Sequence, residues 1–341
     1  MIVTVAITGV LLLAAPYLVH RVLGPRMAPR ELAFSYLAAL LAAAGAALTV
    51  LVTLLVRLAP HEVARALGVG CLSGTSCSTI LPASLQTGLW VASASLLLFL
   101  VVRVAVRLAG GLMASIRVQR WVRVQRVLPS PPTSSGRLSA RRLTVIDRAE
   151  PLAFSVGLLR PRIVVSRGLV EQVSASELDA ILAHEEAHSR NRDNLGLLAV
   201  RVLSRCWRFI PAVGPAAGRF GRAIELAADG SARRCTGDAL LVAESVYHVA
   251  CLVSRRAVWA GGSGFAPGTV SAFAPEAGLT ERVRALTSGS CRGSRWRVAG
   301  AGLVLVVALS VFLMGSLAVA DVNPAIGSPG PNCFSMVASS R

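Results

Sequence analysis

Four apolar stretches, at about residues 2–19, 32–56, 81–102 and 298–320, run without an interior charge for close to the twenty or so residues that a helix needs to cross a bilayer. Backbone polar groups in lipid must be satisfied within the segment, so each stretch is expected as a transmembrane helix. The whole composition agrees: 54% of the 341 residues are hydrophobic and 15% are charged, unlike a soluble enzyme.

A secretory signal carries positive charge ahead of its apolar core, but Met1 to Val19 has none, and Arg21, Arg26 and Arg30 come only afterwards. Arginine accumulates on the cytoplasmic side of spans. It follows the first span at these positions and the third at Arg103, Arg107, Arg117, Arg120, Arg123 and Arg126, whereas the loop 57–80 offers only Arg57 and Arg65. The expected protein is therefore multi-pass in the cell membrane, with both termini outside and the segment between spans three and four in the cytoplasm. After span four about 20 residues remain, expected as a short outer tail, 321–341.

All 35 basic residues are arginine, for a net charge of +18. No nucleic-acid recognition motif accompanies the charge, and arginines beside a span are expected to reach lipid phosphates and set topology. The partner is thus the bilayer, with no direct nucleic acid. Of the seven cysteines, Cys71, Cys77 and Cys333 fall outside, where disulfides persist, so a Cys71–Cys77 bridge and three free thiols are both open; no CxxC pair signals a cysteine zinc site.

Residues 1–109 thus hold three transmembrane helices, and 110–140 form a basic juxtamembrane segment that extends span three or lies on the membrane surface, ending in a Pro/Ser linker. Residues 141–297 are long enough for a folded domain. Short strands are expected near 142–146, 153–159 and 162–166, and Pro161 marks the last, RIVVS, as an edge strand. Ser174 and Glu177 then form a capping-box pattern ahead of an apolar run, which places His184-Glu185-Glu186-Ala187-His188 on a helix. Further helices are expected near 218–232, 239–254 and 279–286, with a Gly/Ser loop near 261–271.

Residues four apart share a helix face, so His184 and His188 can present nitrogens to one metal ion. Zinc is the default, and Glu185 is the base expected to take a proton from the attacking water and pass it to the leaving amine. Two of the chain's five histidines sit here in an otherwise apolar helix, where unpartnered burial would be costly. A third ligand is available 37 residues beyond His188, at Glu225, with Asp229 one turn later.

HEEAHSRNRDN followed by ELAAD resembles the gluzincin peptidases, whose pattern is HExxH then ExxxD. The resemblance implies one Zn²⁺ per chain held by His184, His188 and Glu225, Glu185 as general base, and Asp229 supporting His184. The span arrangement and the stretch AFSVGLLRPRIVVSRGLVEQVSASELDAILAHEEAH resemble the beta-lactam sensor-transducer family of membrane peptidases. The implied fold is an α-helical membrane protein of four transmembrane helices with an α+β zincin-like cytoplasmic metallopeptidase domain. That family's C-terminal penicillin-binding sensor domain is not expected here, with about 20 residues after span four and no SxxK motif in a chain that lacks lysine.

In such peptidases the strand before the zinc helix pairs with extended substrate, which makes Ile163, Val164, Val165 and Ser166 expected substrate-binding positions. Tyr247 and His248 are candidate oxyanion donors. Asp193 could cap or orient the end of the zinc helix or stand in solvent, and Glu186 is expected outside the ligand set. Family likeness implies signal-dependent cleavage of a protein or peptide, such as a transcriptional repressor; housekeeping proteolysis of membrane proteins and a non-catalytic signalling scaffold are the alternatives.

Overall fold

The computed structural model describes residues 21, 27–60, 63, 82–129, 143–208, 210, 213–259, 271–272 and 278–288. The first and fourth expected spans, most of the loop 57–80, the linker, the Gly/Ser loop except Ser271, and Cys71, Cys77 and Cys333 lie outside these residues.

Two described helices are long and apolar enough to cross a membrane. Helix α1, Pro29–Leu58, contains the second expected span. Helix α2, Ala83–Val124, contains the third and continues without a break through the basic juxtamembrane segment. At 1.5 Å per residue its 42 residues reach about 63 Å, twice a bilayer core. The juxtamembrane arginines thus extend span three as helix. Its most apolar window is only 6% buried by protein, as suits a lipid-facing surface.

The chain divides into two compact units, residues 1–15, 41–102 and 302–341 in one, and 16–40 and 103–301 in the other. The second holds a five-stranded sheet, β1 Val127–Leu128, β2 Leu143–Ile146, β3 Ala153–Val156, β4 Arg162–Ser166 and β5 Ser271–Ala272, in the order β1-β2-β4-β3-β5. β2 and β4 are parallel, with Leu143 opposite Ile163. β4 and β3 are antiparallel, with Ala153 opposite Val165, and β3 pairs in turn with β5. β3 stops at Gly157, whose φ of +105° is a conformation that side-chain-bearing residues rarely adopt.

The edge assignment of RIVVS is corrected by this order. β4 is the middle strand, bonded on both sides, and Ile163, Val164, Val165 and Ser166 are each at most 1% exposed. Pro161 lies just outside the strand, where its missing N–H costs no ladder bond. These four residues form core and cannot add a substrate strand.

Around the sheet lie α3 Arg167–Val170, α4 Ala175–Asn191, α5 Asp193–Cys206, α6 Val213–Thr236, α7 Ala239–Trp259 and α8 Leu279–Thr287. The capping box that opens α4 forms as its sequence requires: Ser174 Oγ accepts from the Glu177 amide and Glu177 accepts from the Ser174 amide. Leu178, Ile181 and Leu182 of α4 pack with Ile163, Val165, Val242, Val246 and Leu286 in one core. This core holds α4 rigidly between the sheet and helices α6 to α8.

Candidate metal centre

On α4 the four-residue spacing turns both histidines inward, and His184 is 2% and His188 1% exposed. Their Nε2 atoms stand 3.0 Å apart. From α6, Glu225 places Oε2 3.6 Å from His184 Nε2 and Oε1 3.7 Å from His188 Nε2. Ligands about 2.0–2.1 Å from a tetrahedral zinc ion are about 3.3 Å from one another. The three groups, all within 4.8 Å of one another, bracket that spacing and so fit a small metal ion.

Each imidazole is held from behind. His184 Nδ1 lies 2.9 Å from Asp229 Oδ1, and His188 Nδ1 donates to Asp193 Oδ2 at 2.8 Å. Both contacts hold a ring proton on Nδ1, so that Nε2 is the nitrogen each ring offers to a metal ion once it is deprotonated. Asp193 reaches His188 through a sharp local turn. Between α4 and α5, Arg192 adopts φ 55°, ψ 41°, and is the one non-glycine residue with positive φ among those described. Such a conformation costs an ordinary residue about 1–2 kcal/mol, and it folds the start of α5 back toward the histidine. Its sequence allowed a cap or a solvated aspartate at Asp193; the support of His188 was missed.

Arg282 on α8 was missed altogether. It is 5% exposed, donates from Nε and Nη2 to the two oxygens of Asp229, and brings Nη1 to 3.3 Å from Glu225 Oε2. A signal existed: Leu279, Arg282, Val283 and Leu286 recur at helical spacing, so the arginine shares the apolar stripe of α8. That stripe marks burial but names no partner.

Glu185 is fully buried beside the histidines. Burial raises its pKa, partly opposed by the imidazoles of His188 and His184, as suits a proton acceptor tuned upward toward neutrality. Burial works against charge on His184 as well, but Asp229 and Glu225 outweigh it and push the imidazole up to about 9. Glu225, despite burial, is held down at about 2 by the histidines and Arg282, and Asp229 is also depressed by Arg282 and His184. Glu185, Glu225 and Asp229 thus gather around the Arg282 guanidinium, and Asp193 stands behind His188, an excess of carboxylates that a divalent cation would help neutralise.

Other expected site residues lie elsewhere. His248 bonds Glu177 at 2.8 Å, at the N-terminal end of α4, and Tyr247 is 58% exposed. The reason is the phase of α7, whose buried stripe carries Val242, Val246 and Val249 into the core; the structure does not gather Tyr247 and His248 with the histidine cluster. Glu186 pairs with Arg190 at 2.9 Å on the outer face of α4, as expected for a non-ligand.

The sequence profile of the family described as BlaR1 peptidase M56 matches residues 3–234, which include His184, Glu185, His188, Glu225 and Asp229 but not Arg282. Protease HtpX of Idiomarina loihiensis is 28% identical over 112 aligned residues, covering 27% of this chain and 39% of that protein's length. No solved structure matches significantly.

Proposed function

The chain belongs to the BlaR1 peptidase M56 family, and on that premise we propose that it is a zinc endopeptidase that cuts a cytoplasmic regulator, such as a transcriptional repressor, in response to a signal. Family membership makes it a membrane metalloprotease acting on protein or peptide. The observation that carries the finer reading is the convergence of His184, His188 and Glu225 beside a buried Glu185.

Zinc held by these three residues would supply a Lewis acid that acidifies water and polarises the scissile carbonyl. Glu185 accepts the proton of the attacking water and returns it to the leaving nitrogen. Asp193 and Asp229 fix the orientation and tautomer of the two histidines. Arg282 keeps Asp229 and Glu225 ionised, so that both remain acceptors. An extended substrate adding to β3 would have to take the place of the two-residue β5, which pairs with Phe154 and Ser155.

Purified full-length protein loaded with zinc should cleave a regulator substrate, and Glu185→Ala should not, at equal zinc content. Equal turnover by both forms would refute the enzymatic reading. Cleavage of the regulator only after an inducing stimulus supports the signalling role, whereas constitutive cleavage of unfolded membrane proteins, with the regulator spared, would replace it with housekeeping proteolysis. Metal retained without turnover in the wild type would leave the scaffold role.

A further inference from the structure

Arg192 lines two cavities. One, of about 390 Å³, is apolar, with Ala33, Phe34 and Leu37 of α1 facing Leu195 and Ala199 of α5 and Ile224 of α6. The other, of about 410 Å³, is lined by Arg160, Arg162, Arg190 and Arg192 together with Ser189. Arg190 is paired with Glu186, but Arg160, Arg162 and Arg192 make no ion pair with any described residue. Three uncompensated guanidinium groups around one cleft make an anion site, and arginine suits phosphate because its planar fork binds two oxygens at once.

The apolar cavity has its own demand. Phe34 is 55% and Leu195 42% exposed, and Ala33, Phe34 and Leu37 belong to the first turns of a helix long and apolar enough to cross the membrane. Arg30, one turn earlier, also lines the cavity, and arginines flanking a span lie at headgroup level. The cavity therefore opens where headgroups give way to acyl chains, and its volume lies within the ordinary range for small-molecule pockets, about 300–1,000 Å³.

We propose that the two cavities are one binding site for an anionic phospholipid, with its phosphate on Arg160, Arg162 and Arg192 and an acyl chain against Phe34 and Leu195. An acidic peptide or free phosphate would satisfy the arginines but leave the apolar half without an occupant; an apolar peptide side chain would do the reverse. A phospholipid joins both chemistries in one molecule. This site is separate from peptide hydrolysis, but it adjoins it: Asp193, which also lines the apolar cavity, is the residue that holds His188.

The test is native mass spectrometry of the full-length protein equilibrated with equal amounts of phosphatidylglycerol and phosphatidylcholine. Wild type should retain phosphatidylglycerol in preference, and the triple variant Arg160→Gln/Arg162→Gln/Arg192→Gln should lose about tenfold or more of that preference. Phe34→Ser/Leu195→Ser, which alters exposed side chains only, should reduce retention of both lipids. Should the triple variant misfold, judged by loss of bound zinc, the pair Arg160→Gln/Arg162→Gln decides. Equal lipid preference in wild type and arginine variants would overturn the proposal. So would displacement of the lipid by inorganic phosphate or by a glutamate-rich peptide at matched concentration, which would assign the arginines to a free anion or to a protein partner.

Discussion

Arg282 grips Asp229 through both carboxylate oxygens, Nε to Oδ2 at 2.7 Å and Nη2 to Oδ1 at 2.6 Å, across 53 residues of sequence. Asp229 in turn sits 2.9 Å from His184, so a guanidinium on α8 ends a chain of charges that begins at the first histidine of HEEAH. Removing one partner of a buried ion pair leaves the other charge unpaired, at about 3–5 kcal/mol. Arg282→Met should lower the melting temperature and weaken metal retention together. Arg282→Lys should rescue only part of either, because an ammonium cannot reproduce the two-point grip. Thermal denaturation and metal analysis after chelator challenge measure both, and an unchanged metal affinity in Arg282→Met would show that the arginine serves stability alone.

Glu185 is buried beside the histidines but belongs neither to the three ligand groups nor to the aspartates that support them, so its replacement by the isosteric amide should act on chemistry. Glu185→Gln should reduce kcat by roughly 10²–10⁴, the usual worth of a general base, with zinc content and melting temperature close to wild type. A proportional loss of metal would instead make Glu185 part of the binding set.

Asp193 and Asp229 hold His188 and His184 at their Nδ1 atoms. Outer partners of ligating histidines are commonly worth about 10–100-fold in metal affinity. Asp193→Ala should fall in that range, and Asp193→Asn, which keeps an acceptor oxygen, should recover part of it. Competition with a zinc-binding dye gives the constants. If Asp193→Ala binds zinc as tightly as wild type, the aspartate only shapes the entry to α5.

The metal-free site should also bind zinc more tightly as pH rises. His184 in the folded chain is pushed up to about 9 from an ordinary 6.5 by Asp229 and Glu225, so near neutrality a proton occupies the nitrogen that zinc requires. Affinity should climb from pH 7 to about pH 9 and then level off, with proton release visible by calorimetry in buffers of different ionisation enthalpy. The same shift fixes the stability of the metal-free protein. A group whose folded pKa is raised contributes fully below its unfolded value, so this contribution is present below pH 6.5 and is lost as pH rises through about 9. Zinc-loaded protein, whose His184 carries no such proton, should not show that loss. A pH-independent affinity would mean that the imidazole is neutral in the folded chain.

Much of the site was legible because it is local. The capping box, the four-residue histidine spacing and the ELAAD segment each act within one helix, where 3.6-residue periodicity dictates which side chains share a face. The three expected strands lie close to β2, β3 and β4, but the short β1 and β5 and the central position of β4 were not legible. Pro161 read as an edge signal, yet edge or centre is a property of which other strands pair, and Ile163 of β4 meets Leu143 of β2 from 20 residues away on one side and Ser155 of β3 from 8 residues away on the other.

The amino-acid sequence by itself determined the two described helices long and apolar enough to cross a membrane, the HExxH motif and the carboxylates that accompany it, since each rests on composition or on spacing within a single element. Only the tertiary structure decided that Arg282 closes the charge chain, that Asp193 supports His188, that β4 is central and that Tyr247 and His248 stand apart from the cluster. The physical reason is that a side chain's electrostatic partner is set by how separate elements pack, and burial makes that partner obligatory without revealing along the chain which residue it will be.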